Sequence, residues 1–329
     1  MIIVKSPLRI SLGGGGTDLP NYFQKYGGFV IGIAINRYIT IVINQNLKNR
    51  FELKYSEYEI SKKISGIKHK IIKECLKLFS VKQGLEISSF SDVPHGTGLG
   101  SSGAFTVCLL KALHEFYNKK ISNRDLVCLA FKIERTILKR PVGYQDQIAS
   151  CYGGITKQVY DRKGFNVKKI KPTNKIINEI NKNFLLIYTG VQRNSEEILK
   201  TQENKSKNED TKIIQNLDEI KKIGKQVYKM INENNFKNYG SFLNKHWEAK
   251  KKLNYKINNR NSKKIIKICK KNKVEGLRVV GAGAGGYILA YSKNIEKLKK
   301  ELTLKNIIFI KFKLDTIGTD VIYNNNLIK

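Results

Sequence analysis

The 329-residue chain is short of acid: 27 Asp and Glu stand against 61 Lys and Arg, a formal charge of +34. Its five cysteines (Cys75, Cys108, Cys128, Cys151, Cys269) are odd in number and never form Cys-x-x-Cys. That excludes a disulfide framework or cysteine zinc site and points to reduced thiols in a cytoplasmic setting. Four scattered histidines (His69, His95, His114, His246) leave no histidine-based metal site. Lys5 and Arg9 interrupt the apolar start, so neither a signal peptide nor a membrane partner is expected, and no run of 18 apolar residues follows. Internal repeats and low-complexity blocks are lacking too. The basic excess admits a nucleic-acid partner in principle. However, the lysines are spread along the chain beside Glu and Asn with no aromatic-interleaved stripe, so a solvated surface is the expectation and no nucleic acid is.

What is present is glycine in three clusters. Pro94-His95-Gly96-Thr97-Gly98-Leu99-Gly100-Ser101-Ser102-Gly103-Ala104 lies between an alternating strand pattern at Gly84–Phe90 and a helical one at Phe105–Tyr117, where Phe105, Leu109, Ala112, Leu113 and Phe116 share a face. A glycine loop entering a helix brings backbone N–H groups to an anion. The segment lacks the Gly-Lys-Ser/Thr of a Walker A loop. Gly98, Gly100 and Gly103 spell Gly-x-Gly-x-x-Gly, but the added glycine, proline and serine pair fit a phosphate-tail cradle better than a dinucleotide site. Ser101 or Ser102 is the expected helix cap.

The second cluster follows a short strand at residues 2–5. Gly13 to Gly16 form an unbroken run, bracketed by Arg9 and Asp18. Four glycines require backbone to pass close to something; the plainer alternative is a flexible loop with a capping Asp and a surface Arg. The third cluster, Gly281 to Gly286, again spells Gly-x-Gly-x-x-Gly through Gly281, Gly283 and Gly286. A strand-like run follows it, where a dinucleotide site needs a helix.

Between the clusters, Phe29 to Asn44 reads as a hairpin-like pair broken at Asn36-Arg37, and Lys68 to Phe79 as an amphipathic helix. Ser122 or Asn123 caps a helix to about Leu138, carrying Glu134, and Pro141 stops it. Asp146, in Gly143-Tyr144-Gln145-Asp146-Gln147 before Gly153-Gly154, is a helix-start cap or a general base. Residues 155–170 form a hairpin. The polar stretch 171–183 is the domain boundary, dividing 1–172 from 173–329. Arg193, beside a helix start, is a second anion candidate or a solvated arginine. Trp247 is expected between lysine-rich helices, and strands at 307–312 and 319–323 should complete a small α+β domain.

These segments, in this order, resemble the motifs of the GHMP kinases, small-molecule kinases for galactose, homoserine, mevalonate and related substrates. The first motif is similar to the galactokinase form, with Arg9 at the catalytic arginine and Asp18 at a hydroxyl-binding Asp. Gly15 and Gly16 stand where galactokinases carry Glu and His. The resemblance implies two α+β domains, the second ferredoxin-like, with the site between them. It implies ATP as phosphoryl donor, cradled by Pro94, Gly96, Gly98, Gly100, Ser101, Ser102 and Gly103, and Mg²⁺ held by Ser102 and Glu134. Asp146 would be the base and Arg9 the orienting charge. Gly14, Gly15, Gly16, Thr17, Asp18, Arg193 and Gly283 would face the acceptor, a small-molecule sugar phosphate. The Gly-rich first motif with Gly-Tyr-Gln-Asp-Gln most resembles the branch that phosphorylates the anomeric oxygen of a heptose 7-phosphate. Fucose kinase-like enzymes share that motif, and a non-catalytic sugar or nucleic-acid binder is the alternative of another class. The implied assembly is a monomer or homodimer.

Overall fold

Strand β1 (Ile2–Gly13) is 12 residues long and almost wholly buried, so Arg9 projects from regular strand and not from a loop. In the computed structural model, which describes residues 1–192, 200–201, 203–204, 210–253, 260–281 and 285–325, it is the second strand of an eight-stranded sheet. Its partner β2 (Gly28–Gln45) is one 18-residue strand. The expected hairpin at Asn36-Arg37 is therefore corrected. Pro7 pairs with Tyr38 and the next residue, Leu8, with Ile35, which leaves Asn36 and Arg37 as a bulge. A bulge suits a position opposite Pro7, which has no N–H for the ladder.

Strands β3 (Phe51–Lys54), β4 (Tyr58–Ser61), β5 (Leu85–Ser91), β6 (Ile155–Asp161) and β7 (Gly164–Ile170) extend this sheet. Helices α1 (Pro20–Tyr26), α2 (Lys70–Leu78), α3 (Ser101–Phe116), α4 (Asn123–Phe131) and α5 (Gln145–Tyr152) accompany them. Of these, α3 and α5 pack against β1 and β2, and also against each other. Ala104, Val107, Cys108, Leu109, Leu110, Ala112 and Leu113 of α3 are fully buried. The small Ala104, Cys108 and Ala112 among them let the helix lie close to the sheet. Ser122 caps α4, its hydroxyl accepting from Asp125 N at 3.1 Å.

Helix α6 (Asn174–Asn183) leads to a second sheet of β8 (Phe184–Tyr188), β9 (Gly276–Val279), β10 (Tyr287–Tyr291) and β11 (Phe309–Ile310), in the order β11-β8-β10-β9. Every pairing is antiparallel, so β8 and β9 run parallel with β10 between them. This is the split βαβ arrangement of ferredoxin-like folds. Helices α7 (Thr211–Asn232), α8 (Tyr239–Lys252) and α9 (Arg260–Lys271) lie between β8 and β9, and α10 (Ile295–Leu304) between β10 and β11. Trp247 is buried with Ile265, Ile268 and Leu277, as expected of it.

The final strand departs from expectation. β12 (Asp320–Asn324) does not finish the second sheet but pairs with the outer edge of β1, so the first sheet is built from both ends of the chain. Covering an otherwise open edge of a long, almost wholly buried strand is the gain. Met1, through its N-terminus, and Asn325 close the pairing at 2.8 Å.

The two sheets' elements meet through glycine. Gly14 takes φ +84°, and a Cβ there would lie 1.9 Å from the Phe29 carbonyl oxygen. A Cβ on Gly224 of α7 would stand 3.1 Å from Gly14 Cα. The backbone therefore does pass close to something at the glycine run, and what it passes is protein. Gly14→Ala is expected to destabilise the fold by about 2–4 kcal/mol, through clash and left-handed strain together. Thermal unfolding measures it, and a midpoint within a degree of the parent would refute this account of the contact.

Candidate active site

The loop after β5 is wound by three left-handed glycines: Gly96, Gly98 and Gly100 have φ of 69°, 85° and 77°. Gly100 occupies the N-cap position of α3, and no side chain caps it. The expected serine cap is thus corrected. Ser101 and Ser102 already lie within the first helical turn, where a side chain cannot reach back as a cap does. Uncapped first-turn N–H groups and the positive end of the helix dipole suit an anion. Pro94, Gly96, Gly98, Gly100, Ser101 and Ser102 all line a cavity of about 840 Å³. Gly103 does not line it. A Cβ there would come within 2.7 Å of Asp146 Cβ, so this glycine makes room for α5.

Asp146 stands in the first turn of α5 and opens onto the same cavity. Arg9 reaches it from β1: Nε donates to Oδ1 at 2.7 Å and Nη2 approaches the same oxygen at 2.6 Å. Nη1 donates to the Gly98 carbonyl at 2.6 Å. One buried guanidinium thus fixes both the candidate base and the phosphate loop. A Cβ at Gly100 would stand 3.0 Å from Arg9 Cγ, so glycine is needed for that approach.

Asp18 is buried beside this pair. Its Oδ1 accepts from Gly16 N and Gln145 Nε2, both at 3.1 Å, and its Oδ2 from Gln145 N at 3.2 Å. Burial raises its pKa, and the Asp146 charge raises it further. Thr17 proves to be part of the turn's own framework. Its hydroxyl donates to Gly14 O at 2.8 Å and accepts from Phe29 N at 3.1 Å, facing protein and not the cavity. Gly14 and Gly15 are buried, and Gly16 is half-buried with its N–H committed to Asp18. Arg193 and Gly283, the remaining candidates, lie outside the described residues.

Glu134 belongs to a π-helical turn, Lys132–Ile137, that continues α4 where an unbroken α-helix was expected. Such turns recur at functional sites. The turn carries the carboxylate inward, fully buried, where Oε2 accepts from Ser102 Oγ at 2.6 Å and Oε1 from Gln147 Nε2 at 2.9 Å. Burial raises its pKa. Arg140 Nη1 donates to Ser102 Oγ at 2.8 Å and stands 3.6 Å from Glu134 Oε2, placing positive charge on the pair. Hydroxyl and carboxylate oxygens fit Mg²⁺, a hard cation that completes its shell with water and phosphate. Among the described residues no group of three or more His, Cys, Asp or Glu could hold a metal alone.

Three buried basic side chains were not singled out from the sequence: His246 and Lys250 on α8, and Arg278 on β9. Lys250 Nζ donates to Gly281 O at 2.6 Å, and Gly281 lines the cavity. Burial, then the charges of Arg278 and Arg9, pull the Lys250 pKa down to about 7. Spacing four apart on a lysine-rich helix marks His246 and Lys250 as one face, but nothing in sequence distinguishes that face from a solvated one.

This geometry is that of a phosphoryl-transfer cleft on a two-sheet frame, and sequence comparison agrees. Residues 67–154 match the family model described as GHMP kinases N terminal domain. The chain is 30% identical, over 88% of its length and 89% of the relative's, to a D-glycero-alpha-D-manno-heptose 7-phosphate kinase of Campylobacter jejuni. It therefore belongs to the GHMP kinase family. It is also 24% identical over 90% of its length to a bifunctional fucokinase/GDP-fucose pyrophosphorylase of Arabidopsis thaliana, covering 30% of that longer chain. In fold it is similar to a D-glycero-D-manno-heptose 1-phosphate kinase from Bacteriodes thetaiotaomicron, with TM-score 0.81 and 22% identity over 98% of this chain and 100% of that one. No helix among the described residues is long and apolar enough to cross a membrane.

Lys250 makes a pH prediction. Its folded pKa lies below the ordinary 10.5, so between about pH 7 and 10.5 the unfolded chain binds a proton that the folded chain does not. Stability from this group therefore rises with pH across that window, and its cost is fully present below pH 7. Lys250→Met removes the effect. The unfolding free energy of the parent minus that of the variant should climb by up to about 1.4 kcal/mol per pH unit between pH 7 and 9.5, and stay flat from 5.5 to 6.5. A difference constant across both ranges would refute the shifted pKa.

Proposed function

We propose that the chain is an ATP-dependent sugar kinase that phosphorylates the anomeric hydroxyl of D-glycero-D-manno-heptose 7-phosphate. The product is the 1,7-bisphosphate, on a route to GDP-activated heptose for surface polysaccharide. The observation that carries this reading is the Arg9–Asp146 pair, which opens onto the cavity formed by the phosphate loop. The acceptor oxygen attacks the γ-phosphorus as its proton passes to Asp146, and the bond from the γ-phosphorus to the β,γ-bridging oxygen breaks to release ADP. Arg9 holds the carboxylate in place and adds positive charge beside the transferring group. The loop N–H groups of residues 96–103 bind the triphosphate. Ile39, Tyr55, Ile71, Phe90 and Phe105, at the apolar side of the cavity, suit a purine. Ser102 and Glu134 would hold Mg²⁺, which when bound offsets charge on the β- and γ-phosphates. Asp18 accepts a sugar hydroxyl, residues 1–172 and 173–329 act as the family's two domains, and Gly15 and Gly16 replace the galactose-reading side chains. The second reading, a fucose kinase-like enzyme, is favoured by the similarity to a fucokinase. Coupled ADP release with heptose 7-phosphate, heptose, fucose, mannose and galactose as acceptors separates the two. Fucose turned over as fast as heptose 7-phosphate would remove the heptose assignment.

Asp146→Asn should lower kcat by ~10²- to 10⁴-fold, the usual contribution of a general base, with ATP and sugar affinities within a few-fold. Near-normal kcat would take Asp146 out of that role. Ser102→Ala and Glu134→Gln should each move the Mg²⁺ midpoint at saturating ATP upward by about tenfold, more than they change the acceptor KM. An unmoved midpoint in Glu134→Gln would mean that this carboxylate serves packing alone.

A further inference from the structure

Behind the Gly13–Gly16 turn the fold buries three basic side chains, His246, Lys250 and Arg278, without matching carboxylates. Arg278 is almost fully buried. Its Nη2 donates to the Ser11 carbonyl, and among the described residues Nε has no hydrogen-bond partner. His246 is fully buried with the Gly15 backbone beside it, and neither ring nitrogen completes a hydrogen bond among the described residues. Lys250 donates to the carbonyl of Gly281, which lines the cavity, and lies within electrostatic reach of Arg278, Arg9, Asp18 and Asp146. Asp146 is already held by Arg9, and burial disfavours the ionised form of Asp18. Burial keeps the His246 ring neutral and brings Lys250 down to about 7, so Arg278 carries the standing charge of the cluster. Burying a cation and orphaning polar nitrogens costs several kcal/mol unless something binds there.

We propose that His246, Lys250 and Arg278 form the subsite that receives the distal phosphate monoester of the acceptor, an inference that rests on the sugar-phosphate kinase reading above. The turn's own backbone is poorly placed for that task. Gly13 and Gly14 are packed on α7 and β2, and the Gly16 N–H is committed to Asp18. What the turn contributes is a backbone bare of side chains, since a Cβ on Gly15 would stand 2.7 Å from Ser11 Oγ and 3.2 Å from Gln145 Oε1. With its phosphate there, a seven-carbon sugar extends past Asp18 and presents its far end, the anomeric hydroxyl, to Asp146. Remote binding energy then orients the reacting oxygen. Arg278 and Lys250 supply charge-assisted hydrogen bonds, and the His246 ring donates one more.

The test compares heptose 7-phosphate with unphosphorylated heptose as acceptors at 0.3 M KCl, which screens the general attraction of a basic surface. The parent should favour the phosphorylated sugar in kcat/KM. Arg278→Met and Lys250→Gln should each shrink that ratio by about 10- to 100-fold, mainly through KM. His246→Gln, which keeps polarity and approximate volume, carries the test if Arg278→Met does not fold. A parent preference that survives in all folded variants overturns the subsite and leaves the kinase reading standing. A parent with no preference overturns the heptose 7-phosphate reading instead, and inorganic phosphate then decides the subsite. Trp247, the sole tryptophan, lies next to His246 on α8. A saturable phosphate-dependent change in its emission, lost in Arg278→Met, supports an anion subsite. No such change, or one retained in that variant, overturns it.

Discussion

The cleft depends on backbone meeting backbone where side chains would keep the two halves apart. A Cβ on Gly281 would lie 2.5 Å from Gly98 Cα, and one on Gly286 would lie 2.1 Å from the Thr97 carbonyl oxygen. The phosphate loop is thereby clamped against the glycine segment that follows β9. Gly14 against Gly224 makes the same kind of contact on the other side of Arg9. Glycine carries an entropic cost wherever it is ordered, and it is retained where nothing larger fits. These contacts set the distance between the sheets, and hence whether Arg9, Asp146 and Gly281 line one cavity. Loop flexibility is not what the glycines provide here; they make close, fixed contacts.

Within that frame each charged group is handled differently, and the differences fit the roles proposed for them. Arg9 and Asp146 neutralise each other in good geometry while Asp146 keeps access to the cavity. That suits a group that must exchange a proton. Glu134 has no solvent access and is held by Ser102, Gln147 and Arg140, a setting that suits the cation-binding role proposed for it. Asp18 is stabilised by two backbone N–H groups and one amide, which fits the hydroxyl-binding role proposed for it. The same low polarity that makes each group costly strengthens whatever it binds.

Much of this was legible in the sequence because glycine and proline punctuate it so strongly. The loop entering α3, Ser122 as a cap, Asp146 at a helix start and the turn at Gly281 all follow from local chemistry. Errors came where distant pairing outweighed local pattern. Asn36-Arg37 looks like a turn but is a bulge, since Pro7 on the neighbouring strand determines it. The segment at 319–323 looked like a strand and is one, yet nothing local says which sheet it joins. Glu134 could be read as an ordinary exposed helix residue because the π-turn that carries it inward is invisible in composition. His246, Lys250 and Arg278 went unnoticed for a related reason. In a chain with 61 basic residues, another Lys or Arg carries no signal until packing shows which ones are buried.

That contrast also bears on what the +34 charge does. Exposed lysines raise the encounter rate for any anion and discriminate among none, and salt removes most of their effect. A cation held inside protein is screened far less and meets only ligands whose shape brings an anion to it. In the proposed reading the two kinds of charge act in sequence: the surface draws ATP and sugar phosphates alike, and the interior selects. Lys250 lies where the two regimes meet, behind Gly281 at the cavity wall. Its charge therefore responds to the same desolvation that makes a buried phosphate contact strong. Lys250 on α8 donates to the carbonyl of Gly281, whose own backbone meets Gly98 of the loop before α3, so in the proposed reading acceptor recognition depends on how the two sheets are joined.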